Sequence, residues 1–176
     1  GGLVMKKIRF INTFKRLLRH SWFGAADAKR AVPPALQQQL QAQIKASEAQ
    51  HSGQIRLVVE AALPLSYIWR GLAARARAVM LFGKLRVWDT ERNNGVLIYL
   101  LLAERKIEIV ADRGLQHLVA KAVWNETIGR MRKSLHSKQF EAGLTLAIED
   151  VSKLLIEHFP DSLQHPNELP DTPIIQ

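Results

Sequence analysis

The chain has 176 residues, a mass of 19.9 kDa, 47% hydrophobic residues and no cysteine. That length suits one domain with short arms, able to bury about two thirds of its unfolded surface. The lack of cysteine excludes disulfides, zinc–thiolate and iron–sulfur sites and thiol nucleophiles. No run of about 18 uncharged apolar residues offers a transmembrane helix, and no secretory leader opens the chain. The expected location is therefore cytoplasmic, with at most a peripheral position at a membrane.

The net charge of +9 is unevenly placed. Residues 1–47 hold nine Lys/Arg and a single acid, Asp27, for +8, whereas residues 48–176 are within one charge of neutral. A basic arm on a neutral body points to an anionic partner. A second basic run holds Arg70, Arg75, Arg77, Lys84 and Arg86 without an acid, and reads as a solvated helix face.

In chain order, residues 5–23 place Ile8, Ile11, Phe14, Leu18 and Trp22 at helical steps, with Lys6, Arg9, Thr13, Arg16 and His20 on the other side. A basic amphipathic helix of this kind contacts an anionic membrane surface, or docks on its own domain or on a second subunit. Residues 24–34 read as a linker. Pro33-Pro34 opens a helix to residue 50, with Leu36, Leu40 and Ile44 as its apolar stripe. Ser52-Gly53 breaks the pattern, and 54–61 is a mostly buried strand. Residues 66–84 form one helix with Leu72, Ala76, Val79 and Leu81 inward. A polar loop follows, with a short strand at 85–88. The apolar run 96–102 is a central strand that pairs with 106–110 as a hairpin. A helix over 115–135 breaks near Val119, and a last helix covers 141–158. The tail carries Pro166, Pro170 and Pro173, so it is extended, and it is expected to pack on the body. The domain plan is an arm and linker over 1–32, a folded domain over 33–160 and a Pro-rich tail over 161–176. The element order predicts an α/β fold: a small mixed sheet with helices on both faces, preceded by a basic N-terminal helix, with a parallel crossover between the first two strands.

Several blocks together carry a family likeness. They are His51-Ser52-Gly53-Gln54-Ile55 with Val58-Val59, Leu81-Phe82, Asn93-Asn94-Gly95-Val96-Leu97-Ile98, Glu108 to Leu115, and Phe140-Glu141-Ala142-Gly143-Leu144. Over about residues 35–159 this resembles the TPM domain family, also called TPM phosphatases, and most of all its short soluble bacterial members. The resemblance implies an α/β domain with a small helix-flanked sheet. Its members have divergent roles, from photosystem II assembly and repair, through acid phosphatase activity and a receptor accessory subunit, to calcium binding. Many members are membrane-tethered or exported, which this chain does not match.

The loop Asp89-Thr90-Glu91-Arg92-Asn93-Asn94-Gly95 is the best candidate for chemistry. Asp89, Glu91 and Asn93 alternate and Asn94 follows, so hard oxygens can converge as calcium or magnesium requires. It is not an EF-hand, since the glycine is one place late and Leu100 stands where a bidentate Glu belongs. Asp112 follows the third strand and can share the same sheet edge. Asx turns and a strand-end cap explain these residues equally well. Arg113 can hold a phosphate oxygen and Gly114 opens a helix whose N-terminus favours anions, unless Arg113 pairs with Asp112 or Glu108. No nucleophile motif is present, the catalytic residues are unknown, and only metal-assisted hydrolysis through Asp89, Asn94 and Asp112 remains open to a phosphatase. The six histidines read as surface or capping residues. Trp69, Trp88 and Trp124 among basic residues hint at base stacking, but the neutral body argues against nucleic acid and tryptophans at such spacing are usually core. The expected function is an accessory module for a membrane-associated complex that binds Ca2+ or Mg2+, or a partner protein. The alternatives are a weak metal-dependent acid phosphatase and nucleic-acid binding through the arm.

Overall fold

A computed structural model describes residues 1–136, 139–160 and 169–176. The elements are α1 (Gly2–Ser21), α2 (Ala25–Ala31), α3 (Pro34–Glu48), β1 (Gln54–Glu60), α4 (Leu65–Trp69), α5 (Ala74–Lys84), β2 (Gly95–Leu101), β3 (Lys106–Ala111), α6 (Arg113–Gln116), α7 (Lys121–His136), α8 (Phe140–His158) and β4 (Ile174–Ile175). The four strands form one sheet in the order β3-β2-β1-β4. β1 runs parallel to β2 and to β4, and β2 to β3 is an antiparallel hairpin. The predicted mixed sheet between helices is the observed one.

Both faces of the sheet are covered, which is why β1 and β2 read as nearly continuous apolar runs. On one face Ile55, Leu57, Val59, Val96, Ile98 and Leu100 pack with α2, α3, α7 and α8. On the other, Val58, Leu97, Tyr99 and Leu101 meet Ile68, Ala74, Ala78 and Leu81 of α4 and α5. Burial of each such side chain contributes about 1.5–3 kcal/mol.

Four local expectations are corrected. The linker at 24–34 contains α2, whose start is closed by the Gly24 N–H donating to Asp27 Oδ2 at 2.7 Å. The single helix over 66–84 is two, because Gly71 adopts φ +66° between α4 and α5, a conformation that glycine takes without steric cost. The break resets the helical phase, so Ala74, Ala78 and Leu81 face inward while Val79 is 50% exposed. Residues 85–88 form turns instead of a strand. The tail supplies a fourth strand: the Gln176 N–H donates to Val59 O at 2.8 Å, and Gln176 O accepts from the Ala61 N–H at 2.8 Å. Arg56 adds Nη1 bonds to Pro170 O at 2.7 Å and Thr172 O at 3.2 Å, and Leu169 is buried. The tail therefore packs on the body over residues 169–176. Pro166 and the rest of 161–168 lie outside the described residues.

Candidate functional site

The predicted cation loop and Asp112 do meet at one sheet edge. β2 begins at Gly95 and β3 ends at Ala111, and the Asp112 N–H donates to Gly95 O at 2.9 Å. The Gly114 N–H donates to Asn93 O at 2.8 Å, which ties the two loops together. The approach is so close that a β-carbon on Gly114 would lie 2.4 Å from Arg92 O and 2.5 Å from Asn93 O. This edge holds the amino ends of β1 and β2, opposite to the carboxyl ends where parallel sheets usually bind ligands.

The expected ligands divide into two sets. Asn94 is buried, its N–H donates to Thr90 Oγ1 at 3.1 Å and its Nδ2 to Ser52 Oγ at 3.2 Å, while its buried Oδ1 has no hydrogen bond among the described residues. Asp112 caps α6, with Oδ1 accepting from the Arg113 N–H at 2.8 Å, and its buried Oδ2 likewise has none among the described residues. Two such hard oxygens suit a divalent cation. Asp89, in contrast, points away and pairs with Arg86 at 2.9 Å on the surface. Glu91 and Asn93 are exposed, and Asn93 has φ +52°. Among the described residues no group of three or more His, Cys, Asp or Glu could hold a metal. Of the five expected ligands, only Asn94 and Asp112 present a buried side-chain oxygen without a hydrogen bond among the described residues. At the expected anion site the main-chain N–H groups of Arg113 and Gly114 are both taken, which leaves the Arg113 guanidinium as the group that could meet an anion. The Arg113 side chain is exposed and makes no ion pair among the described residues.

The carboxyl ends of β1 and β2 carry two buried carboxylates. Glu60 receives a two-pronged bond from Arg77, with Nε at 2.9 Å and Nη2 at 2.8 Å, and the Tyr99 hydroxyl donates to it at 2.7 Å. Burial first, and then the Glu60 charge, push the Tyr99 phenol well above its ordinary range. Arg77 is thus part of the interior, not of a solvated basic face. Glu104 accepts from Arg16 Nε at 2.5 Å and from His20 Nε2 at 3.1 Å. His20 Nδ1 in turn accepts from the Leu63 N–H at 3.0 Å. Burial alone would raise the Glu104 carboxyl, but the His20 and Arg16 hydrogen bonds and the Arg16 and Lys106 charges outweigh it and hold it down at about 2.

These bonds dock α1 in an unexpected orientation. It is held by its polar side, through Arg16 and His20, so its apolar side faces outward. Leu3 is 86% exposed, Phe10 66%, Phe14 54% and Trp22 81%. Ile8, Ile11 and Leu18 are exposed with them, and so are Leu65 and Trp69 on α4, against which α1 packs. Of the tryptophans expected in the core, Trp69 and Trp88 are exposed and only Trp124 packs against it. Every fully charged side chain of α1 is basic, because residues 1–21 contain six Lys/Arg and no acid. No described helix is long and apolar enough to cross a membrane. Glu104, which decides the orientation, looks like an ordinary hairpin turn residue in sequence. Its partners are 84 and 88 positions away, so no local signal marks it.

A family model for the TPM domain matches residues 26–154. The chain belongs to the TPM domain family. Its fold is similar to the BA42 protein from the psychrophilic bacterium Bizionia argentinensis, at TM-score 0.72 and 25% identity over 81% of this chain and 94% of that one. It is also similar to the N-terminal domain of a protein from P. gingivalis, at TM-score 0.61 and 17% identity over 80% and 91% of the two chains. No curated protein matches. Within this TPM domain the loop carrying Asn94 and the Asp112 cap lie inside the matched span, whereas the docked part of α1 precedes it.

Proposed function

We propose that this TPM protein is a noncatalytic accessory module that works at an anionic membrane surface, with α1 as its contact. The supporting observation is the outward apolar side of α1, on a helix with six Lys/Arg and no acid. Exposed apolar patches of this kind mark interaction sites, and basic charge selects an anionic lipid surface over a neutral one. The carboxyl edge of the sheet, where α/β domains usually bind substrate, is occupied by ion-paired Glu60 and Glu104 and closed by α1, which favours a binding role over catalysis. The test is flotation with vesicles of phosphatidylcholine containing phosphatidylglycerol. The full chain should float, and a Phe10→Ser/Phe14→Ser variant should bind at least about tenfold more weakly, since each ring contributes more than about 1.4 kcal/mol when buried. A full chain that stays at the bottom of the gradient would sink the proposal.

A second reading rests on the buried Asn94 Oδ1 and Asp112 Oδ2, which favour one Ca2+ or Mg2+ ion at that sheet edge. Main-chain oxygens and water would complete its shell. A calcium and magnesium titration followed by NMR should move Asn93, Asn94 and Gly114, and Asp112→Asn should abolish the response. Unchanged spectra at millimolar metal would leave Asp112 as a helix cap. A phosphatase role would need this same ion and falls with it.

A further inference from the structure

A groove of about 570 Å³ runs between α1 and α4. Met5, Ile8, Arg9, Asn12 and Thr13 line one wall and Arg70 stands opposite. Arg16 also reaches it but is committed to Glu104. The Arg9 and Arg70 side chains make no hydrogen bond or ion pair among the described residues, and no acid lines the groove. Arg70 is exposed, and beside it Gly71 turns at φ +66° and faces open space.

The geometry points to a binding site for the phosphomonoester headgroup of an anionic phospholipid. Two unpaired guanidinium forks, together carrying +2, match the charge of about −1.5 to −2 spread over the three free oxygens of a phosphomonoester, whereas a phosphodiester carries a single charge on two. The Asn12 amide and Thr13 hydroxyl supply neutral donors alongside. The lipid source follows from Ile8, which lines the groove and is also exposed on the outward side of α1, so acyl chain and headgroup can be engaged by adjoining surfaces. The inference rests on the reading of α1 as a membrane contact and adds a headgroup preference to it.

The experiment compares vesicles containing phosphatidic acid with vesicles containing phosphatidylglycerol, matched in surface potential. The full chain should prefer phosphatidic acid by about tenfold, the worth of one charge-assisted contact. Arg9→Gln/Arg70→Gln, both exposed positions whose change leaves the core intact, should bind the two vesicles equally. Lys7→Gln/Lys15→Gln, which removes the same charge elsewhere on α1, should weaken both and keep the preference. A full chain without preference, or a preference that survives Arg9→Gln/Arg70→Gln, overturns the groove site while the membrane contact stands. Failure to bind either vesicle overturns both. Inorganic phosphate moving the Arg9, Asn12 and Gly71 amides as readily as a dispersed short-chain phosphatidic acid would overturn the lipid assignment in favour of a soluble phosphate.

Discussion

Protonating His51 should destabilise the fold, because its surroundings accept only the neutral ring. Its Nδ1 accepts from the Gly53 N–H at 3.1 Å, so Nε2 carries the proton and donates to Ser47 Oγ at 2.8 Å. Ser47 passes the donation to Ser152 Oγ at 2.6 Å, and Ser152 to Ile148 O at 2.5 Å. A second ring proton would face the Gly53 N–H donor-to-donor in a buried position. Burial lowers the imidazole to about 4, against a partial rise from the Gly53 contact. A histidine lowered from 6.5 in the folded state is charged in the unfolded chain first. The unfolded state then binds more protons between pH 6.5 and 4, and stability falls with pH across that window. The loss amounts to about 2 kcal/mol at pH 5 and about 3 kcal/mol below pH 4. His51→Gln keeps an acceptor and a donor but cannot titrate. Urea unfolding at pH 7, 6 and 5 should therefore give the parent a loss about 2 kcal/mol larger than the variant's at pH 5. All other groups titrate alike in the two chains, so parallel losses would refute the reasoning.

Glu104→Gln should leave Arg16 without its anion, cost about 3 kcal/mol and speed hydrogen exchange at the Leu63 amide, which His20 holds. Exchange at Leu63 as slow as in the parent would show that α1 is held by packing alone. Gly114→Ala should cost about 2–4 kcal/mol in thermal unfolding and shift the Asn93 and Asn94 resonances, because two main-chain oxygens stand in the way of the new methyl group. Glu48 should reverse the usual acid behaviour. Burial first, and then the hydrogen bond its protonated form donates to Asp171, raise it to about 9, while the Ile55 N–H at 2.7 Å opposes the rise. The unfolded chain ionises near pH 4.5 and the folded one resists, so this group's contribution is lost as pH climbs towards 9. Glu48→Gln should be more stable than the parent by on the order of 1–2 kcal/mol at pH 7 and equal to it near pH 4.

The long elements were legible because their apolar residues keep a period that the fold uses. The runs 54–60 and 95–101 are apolar on both sides and do lie between two helical layers. What escaped was set by tertiary contact. β4 is only Ile174–Ile175, after three prolines in the tail, and exists because β1 offers an edge. Gly71 sat inside a helical pattern, where a single glycine is tolerated as often as it breaks the helix. The site was partly legible: Asn94 and Asp112 lie within two residues of glycines at strand ends, which marks close approach of two chain segments. Asp89 was misleading, since its nearest cation, Arg86, is only three positions away. The amphipathicity of α1 was plain, yet its orientation was not. Apolar-side-in is the general rule, and here a buried carboxylate 88 residues from Arg16 overrides it.

The pairing of β1 with the tail spans 116 residues, from Val58 to Ile174. During synthesis at about 5–20 residues per second, one edge of β1 would wait roughly 6–23 seconds for its partner. Once β2 has followed, about 40 residues after β1, a strand reading Gln-Ile-Arg-Leu-Val-Val-Glu has its inner edge served and its outer edge open, an arrangement prone to pairing with another nascent chain. Arg56 stands in the middle of it. Before the tail arrives, its charge discourages a second strand from adding there, and afterwards the same guanidinium binds the carbonyls of Pro170 and Thr172. One side chain thus serves first as gatekeeper of an unfinished sheet and then as its clasp.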